Sequence, residues 1–254
     1  MKLMNKIPAV GLSVAALGTS PCLAQSWEFQ ITPYAWLAGI DGNLGTVPVA
    51  GIPPQKVSLS FGDIWDDLDY AGMLYASARR GPWVILFDAT TAKTTSDEPG
   101  GGVVVDKVRI ESTTSNLALA VGRTVASAPA YRVDVYAGGR AWWLKNDFKV
   151  RTVPGTVPGP ITADNDANWI DPIIGVAGNY KLAERWELFG AAEVGGFGVG
   201  ANNEWSLLGG ANYIVNDRFA VTGGWRILSV DYDDDDIVYD VTQSGPLIGA
   251  TFRF

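Results

Sequence analysis

The chain has 254 residues, 19 basic and 27 acidic side chains, a net charge of −8 and 47% hydrophobic residues. That composition excludes a disordered chain, and the acidic balance argues against a nucleic-acid partner, which needs a basic face. The length fits one or two domains, or one large all-β domain.

Residues 1–24 read as a cleaved secretory signal peptide. "MKLMNK" carries two lysines, "IPAVGLSVAALG" is a short apolar core, and "CLA" precedes Gln25 as a small-residue cleavage site. The apolar run is too short for an anchor helix across about 30 Å of hydrocarbon. Pro21 directly before Cys22 departs from the lipoprotein pattern. Cleavage after Ala24 removes the single cysteine, and the chain has no histidine, so thiol chemistry and His/Cys zinc sites fall away. Losing Lys2 and Lys6 leaves 17 basic against 27 acidic residues, a charge of −10.

Residues 25–254 alternate with a period of two almost throughout. In "WEFQITPYAWLAG", Trp27, Phe29, Ile31, Ala35 and Leu37 share one face, opposite Glu28, Gln30, Thr32, Tyr34 and Trp36. In "YRVDVYAGGRAWW", Tyr131, Val133, Val135, Ala137, Ala141 and Trp143 oppose Arg132, Asp134, Tyr136, Arg140 and Trp142. Such alternation predicts strands. In chain order they are 26–40, 69–80, 82–95, 104–125, 129–150, 167–181, 184–198, 203–214, 218–231 and 238–254. The exception is "GDIWDDL", residues 62–68, which predicts a turn or two of helix.

Tight connections at 79–82, 125–130, 182–185 and 215–218 alternate with longer ones at 41–68, 95–103, 151–166, 199–203 and 232–237. Short turns at one end and longer loops at the other are the pattern of a transmembrane barrel. The fold expected is all-β: a closed, antiparallel, up-and-down transmembrane β-barrel of ten strands, with twelve or eight as alternatives. "KVSLSF", 56–61, paired with "NLGTVPV", makes either twelve strands or a hairpin above the membrane. An even count returns both ends of the barrel to one side, so the terminal Phe254 closes the last strand against the first.

Aromatics cluster beside the short turns. Trp27, Trp83, Tyr131, Trp186 and Phe219 open strands there, and Tyr180, Tyr213 and Phe254 close them. Amphipathic rings at one level suit a membrane interface. Trp205 and Tyr213, eight residues apart on one face, span about 20 Å at ~3.3 Å per residue and a tilt near ~40°.

The lumen-facing charges expected from alternation are Glu28, Asp88, Asp134, Asp171, Glu187 and Glu193, with Arg79, Arg132, Arg140, Lys181, Arg226 and Arg253. Charges in a narrow bore must pair, and Arg140 is expected to pair with Asp88 or Asp171. Two functions follow. One is a structural or interaction barrel with an ion-paired lumen and acidic outer loops. The other is a narrow porin-like channel for small solutes or ions.

The acidic stretches "DIWDDLD", 63–69, and "DYDDDD", 231–236, are candidate divalent-cation contacts that would bridge phosphates of the outer leaflet, although neither has a calcium-hand loop. No helix is predicted after the glycines of "GGVVV", 101–105, or "VGGFGVG", 194–200, so a nucleotide site is rejected; in the latter the glycines are read as letting strands bend or bulky lumen residues fit.

Three stretches carry a resemblance. They are "VSLSFGDIWDDLDYAGMLYASARRGPWVILFDA", "NWIDPIIGVAGNYKLAERWELFGAAEVGGFGVGANNEWSLLGGANYIVNDRFAVTGGWRILSVDYDDDD" and "YDVTQSGPLIGATFRF", roughly half of the chain after residue 24. The chain resembles a family of Gram-negative outer-membrane β-barrel proteins without assigned activity. That resemblance implies residence in the outer membrane among lipid and lipopolysaccharide, and assembly by the machinery that reads a terminal aromatic such as Phe254. It implies no reaction, cofactor or metal. Barrel proteases and lipid-modifying enzymes use a histidine beside Ser, Asp or Glu, and this chain has none, which excludes a His-based nucleophile or water activation. A carboxylate-pair mechanism survives that argument, but no serine has a compelling base, and no enzyme is expected.

Overall fold

The computed structural model describes residues 26–45, 54–99, 105–152, 161–234 and 237–254. The expected signal peptide, the first four residues of "GGVVV" and Asp235 and Asp236 lie outside these residues. The strands are β1 (Glu28–Trp36), β2 (Gly39–Gly45), β3 (Gln55–Leu59), β4 (Leu68–Arg80), β5 (Trp83–Pro99), β6 (Val105–Ala128), β7 (Tyr131–Thr152), β8 (Ile161–Ala183), β9 (Trp186–Gly195), β10 (Asn203–Asn216), β11 (Phe219–Asp234) and β12 (Ile237–Arg253). Among the described residues one helix, α1 (Phe61–Asp66), precedes β4.

Ten of these strands close a barrel. β4 to β12 pair in sequence order, and β1 joins β4 on one side and β12 on the other, all antiparallel. Closure reaches the last residue: Phe29 N donates to Phe254 O at 3.2 Å and Phe254 N to Phe29 O at 2.9 Å. No barrel edge is left between first and last strands, which is what a sheet surrounded by lipid requires.

The other two strands form a hairpin on top. The expected strand 26–40 divides into β1 and β2 at Leu37–Ala38. There Leu37 N donates to Pro246 O, and the Trp36 indole N–H donates to Gly245 O. Pro246 has no N–H to return, so the ladder breaks. β2 resumes pairing with the upper half of β12, from Gly39↔Ser244 to Gly45↔Val238, and β3 pairs back on β2.

The tight connections all lie at one end: Gly81–Pro82, Pro129–Ala130, Glu184–Arg185 and Asp217–Arg218. Gly81 takes φ +57°, a conformation that favours glycine. At the other end the wall is uneven. β6, β7 and β8 run for 24, 22 and 23 residues, whereas β9 has 10. The second glycine stretch is a turn rather than a bend: β9 ends at Gly195, and Gly196 and Gly198 turn the chain with positive φ.

Helix α1 is set by its cap. The Ser60 hydroxyl accepts from Asp63 N, and the Asp63 carboxylate accepts from Ser60 N at 2.8 Å. This reciprocal arrangement satisfies two amides at the helix start.

Alternation inverts along the taller strands. On β7, Tyr131, Val133, Val135, Ala137, Ala141 and Trp143 share one face, followed on that face by Lys145, Asp147, Lys149 and Arg151. The opposite face begins with Arg132, Asp134 and Arg140 and continues with buried Trp142, Leu144 and Phe148. β11 and β12 also turn apolar inward, with buried Leu228, Val230 and Tyr232 on one and Ile237, Tyr239 and Val241 on the other. Near the short turns the outside is apolar and the inside polar. Farther up the inside is apolar and the outside charged, as for a β-structure standing in water.

Candidate functional site

The bore of the barrel is the candidate site, and it is built in layers. The lowest is a chamber of about 940 Å³ that reaches the short-turn end, where Glu28, Arg132, Asn179 and Arg218 line it. Arg79 and Asp134 form an ion pair in its wall. Thr124 links them, accepting from Arg79 Nη1 at 2.9 Å and donating to Asp134 at 2.6 Å. Glu187 gathers Arg253 at 2.8 Å, Asn212 at 3.0 Å and Asn179 at 3.2 Å.

Above it lies a charged layer. Arg226 Nη2 meets Asp88 at 2.7 Å, and its Nη1 donates to the Tyr34 hydroxyl at 2.8 Å. Tyr34 donates in turn to Asp88 at 2.7 Å. The Arg226 guanidinium also lies 5.0 Å from the Trp36 ring centre, within cation–π range. Arg140 Nη2 donates to Glu193 at 2.5 Å, and its Nε lies 2.8 Å from Glu204 Oε1. The Nε contact lacks hydrogen-bond geometry, so it acts as a close charge pair. Neither Asp88 nor Asp171 is the partner of Arg140. Asp171 stands opposite Arg140 in the β7–β8 register, but its carboxylate accepts from the Trp169 indole at 2.8 Å and from Ala201 N at 2.7 Å.

The top layer is apolar and aromatic. Trp169 stacks on Tyr232 with ring centres 3.9 Å apart, and Trp142 stacks on Trp169 at 5.7 Å. Tyr239 closes against both at 6.2 Å. Trp36, Leu144, Leu228, Val230, Val241 and Leu247 fill the remaining space. The two indoles are anchored downward: Trp142 Nε1 donates to Glu204 at 2.9 Å, as Trp169 does to Asp171. The carboxylates of the charged layer thus hold the aromatic lid in place.

Of the charges expected in the lumen, Glu28, Arg79, Asp88, Arg132, Asp134, Arg140, Glu187, Glu193, Arg226 and Arg253 line the chamber. Asp171 is buried above it under the aromatic layer. Lys181 is exposed at the short-turn mouth beside the β8 bulge. Glu204, which is 1% exposed, was not anticipated. It follows the glycine turn at the start of β10, and its inward facing depends on that turn's geometry. The lid was foreshadowed by Trp142, which shares a face with Arg140.

On the outer wall, Trp27, Trp83, Tyr131, Tyr180, Trp186 and Phe254 are exposed around the short-turn end. Tyr213 packs edge-on against Trp186 at 5.2 Å, and Phe219 lies tilted against Phe252 at 5.4 Å. Among the described residues, no group of three or more acidic, histidine or cysteine side chains converges on a metal position. In the acidic stretch before β4, Asp63 is engaged by its cap: the Ser60 hydroxyl and amide hold its carboxyl below the usual range.

Compared with solved structures, the chain aligns with the outer membrane protease OmpT from Escherichia coli at a TM-score of 0.51 and 13% identity, over 91% of this chain and 98% of that one. The fold is that of a Gram-negative outer-membrane β-barrel. The translocator domain of the autotransporter NalP from Neisseria meningitidis aligns less well, with a TM-score of 0.43 and 10% identity over 89% of this chain and 88% of that one. Ail, the attachment invasion locus protein of Yersinia pestis, gives 0.38 and 10% over 91% and 99%. No protein-family model and no curated protein matches the sequence. At these identities the likeness extends to the barrel and not to an activity.

Proposed function

We propose that this protein is an integral outer-membrane barrel of structural or interaction type, closed to the passage of solutes. Residues 1–24 direct its export and are removed. The apolar outer band between the short turns and Trp143 sits in lipid, and the short turns face the periplasm. The taller, charged strand ends stand above the membrane among lipopolysaccharide headgroups, where divalent cations would bridge acidic side chains to phosphate. The barrel-assembly machinery engages the strand ending in Phe254.

The observation that carries the closed reading is the aromatic lid on the charged layer. A conducting pore needs a continuous wetted path, and stacked Trp142, Trp169 and Tyr232 leave a packed apolar layer where such a path would run. Ion pairs alone would not argue this strongly, since charged rings also line selective pores. The reading is non-catalytic. The chain has no histidine to activate a nucleophile, and the lumen carboxylates Asp88, Asp134, Glu187, Glu193 and Glu204 are each held by an arginine.

Liposome swelling tests the closed reading. Vesicles carrying the purified barrel should swell in small sugars and amino acids no faster than empty vesicles. Swelling that rises with protein content would assign the bore to a narrow solute channel.

A further inference from the structure

We propose that the short-turn mouth of the barrel binds a small soluble oxyanion, a carboxylate or a phosphate, between Arg132 and Lys181. A cavity of about 580 Å³ lies there, walled by the turns at Gly81–Pro82 and Pro129–Ala130 and by the end of β8. Its charged lining is Arg132, Lys181 and Glu187. Glu187 is already taken by Arg253, Asn212 and Asn179. Arg132 and Lys181 have no ion-pair or hydrogen-bonding side-chain partner among the described residues. The deeper cations Arg79, Arg140, Arg226 and Arg253 are each held by a carboxylate. The mouth therefore presents two cations with spare donors and one neutralised acid.

Local structure holds this arrangement. Lys181 N donates to Ala130 O at 2.6 Å, which fixes the end of β8 against the β6–β7 turn. Ser127 lines the same cavity. Charge-assisted hydrogen bonds from a guanidinium and an ammonium suit a planar carboxylate or a phosphate. Arg132, Asn179 and Glu187 also line the chamber of about 940 Å³ above, so the body of an anion-headed molecule has room to enter the bore. Because Arg132 and Asn179 face the lumen rather than the lipid, the anion comes from the aqueous side. This site stands whether the bore conducts or is closed, and binding at it is measured separately from conductance.

The test is calorimetric titration of inorganic pyrophosphate and of citrate into the purified barrel in nanodiscs of zwitterionic lipid. Saturable binding is expected. Arg132→Gln and Lys181→Gln should each weaken it about tenfold, the effect of losing one charge-assisted hydrogen bond. Arg132→Lys should retain most of it. Lys149→Gln, at the opposite end, should leave it unchanged. Heat-modifiable gel mobility confirms that each variant is folded, and a misfolded glutamine variant is replaced by the other. Absence of saturable heat into the tens of millimolar range overturns the proposal. So does equal weakening by Lys149→Gln, which would mean diffuse charge attraction. In nanodiscs containing phosphatidylglycerol the affinity should persist; its loss would assign the cations to lipid headgroups and overturn the soluble source.

Discussion

Arg140 shows what a single residue carries in this bore. It is 2% exposed and lies between Glu193 and Glu204. Removing one partner of a buried ion pair leaves uncompensated charge and costs about 3–5 kcal/mol. Arg140→Ala should therefore lower the temperature at which the barrel loses its heat-modifiable gel form. An unchanged midpoint would mean that water already screens the two glutamates. The same substitution should not by itself open the bore, because the lid above rests on stacking and on the indole bonds to Glu204 and Asp171. Gly175 gives a second residue-scale expectation. A Cβ there would lie 2.4 Å from the Tyr136 ring and 2.8 Å from Ala192 O. Gly175→Ala must displace the ring or the strand and should cost about 1–3 kcal/mol, measured by the same gel transition. The inward facing of Arg140 was legible from alternation alone. Its partners were not, because a bore side chain reaches across the barrel: the register neighbour Asp171 was lost to an indole, and β9 and β10 supplied the carboxylates.

At the scale of elements, helix α1 depends on one carboxylate. The depressed pKa of Asp63 means that its contribution is present above the unfolded carboxylate value and is lost as pH falls through the folded one. Hydrogen exchange at Ile64 N, which donates to Ser60 O at 3.2 Å, should accelerate in acid and in Asp63→Ala at neutral pH. Identical exchange in parent and variant would show that α1 is held by its neighbours instead. The helix and the four tight turns were legible because local chemistry sets them. The break between β1 and β2 was not, since it arises from Pro246 on the partner strand. Among the three tallest strands the expected length fell well short only for β8; β7 has the 22 residues expected, shifted by two. The expectation for β8 began at 167, but it runs from Ile161, because charged residues such as Asp164 and Asp166 read as loop when the outside is assumed to be lipid. Outside the apolar band they are ordinary water-facing strand residues. The inversion of alternation after Trp143 is the signal that marks this boundary.

At the scale of the whole molecule, the barrel is a two-medium structure with its polar chamber below and its apolar core above. Closure by β1 and β12 through Phe254 makes the last residue part of the wall. Deleting Phe254 should reduce the folded yield in the membrane fraction while leaving export unchanged. Equal yield would limit the residue to girdle packing. The closed bore proposed for this barrel rests on its aromatic lid. The most direct measurement is the conductance of single barrels in a planar bilayer, for the parent and for the Trp142→Ala, Trp169→Ala double variant. The parent should show no sustained current under applied voltage, and the double variant, confirmed folded by gel mobility, should show discrete openings. Steady ohmic current through the parent would mean an open bore, with the charged layer a selectivity ring rather than a support for a lid.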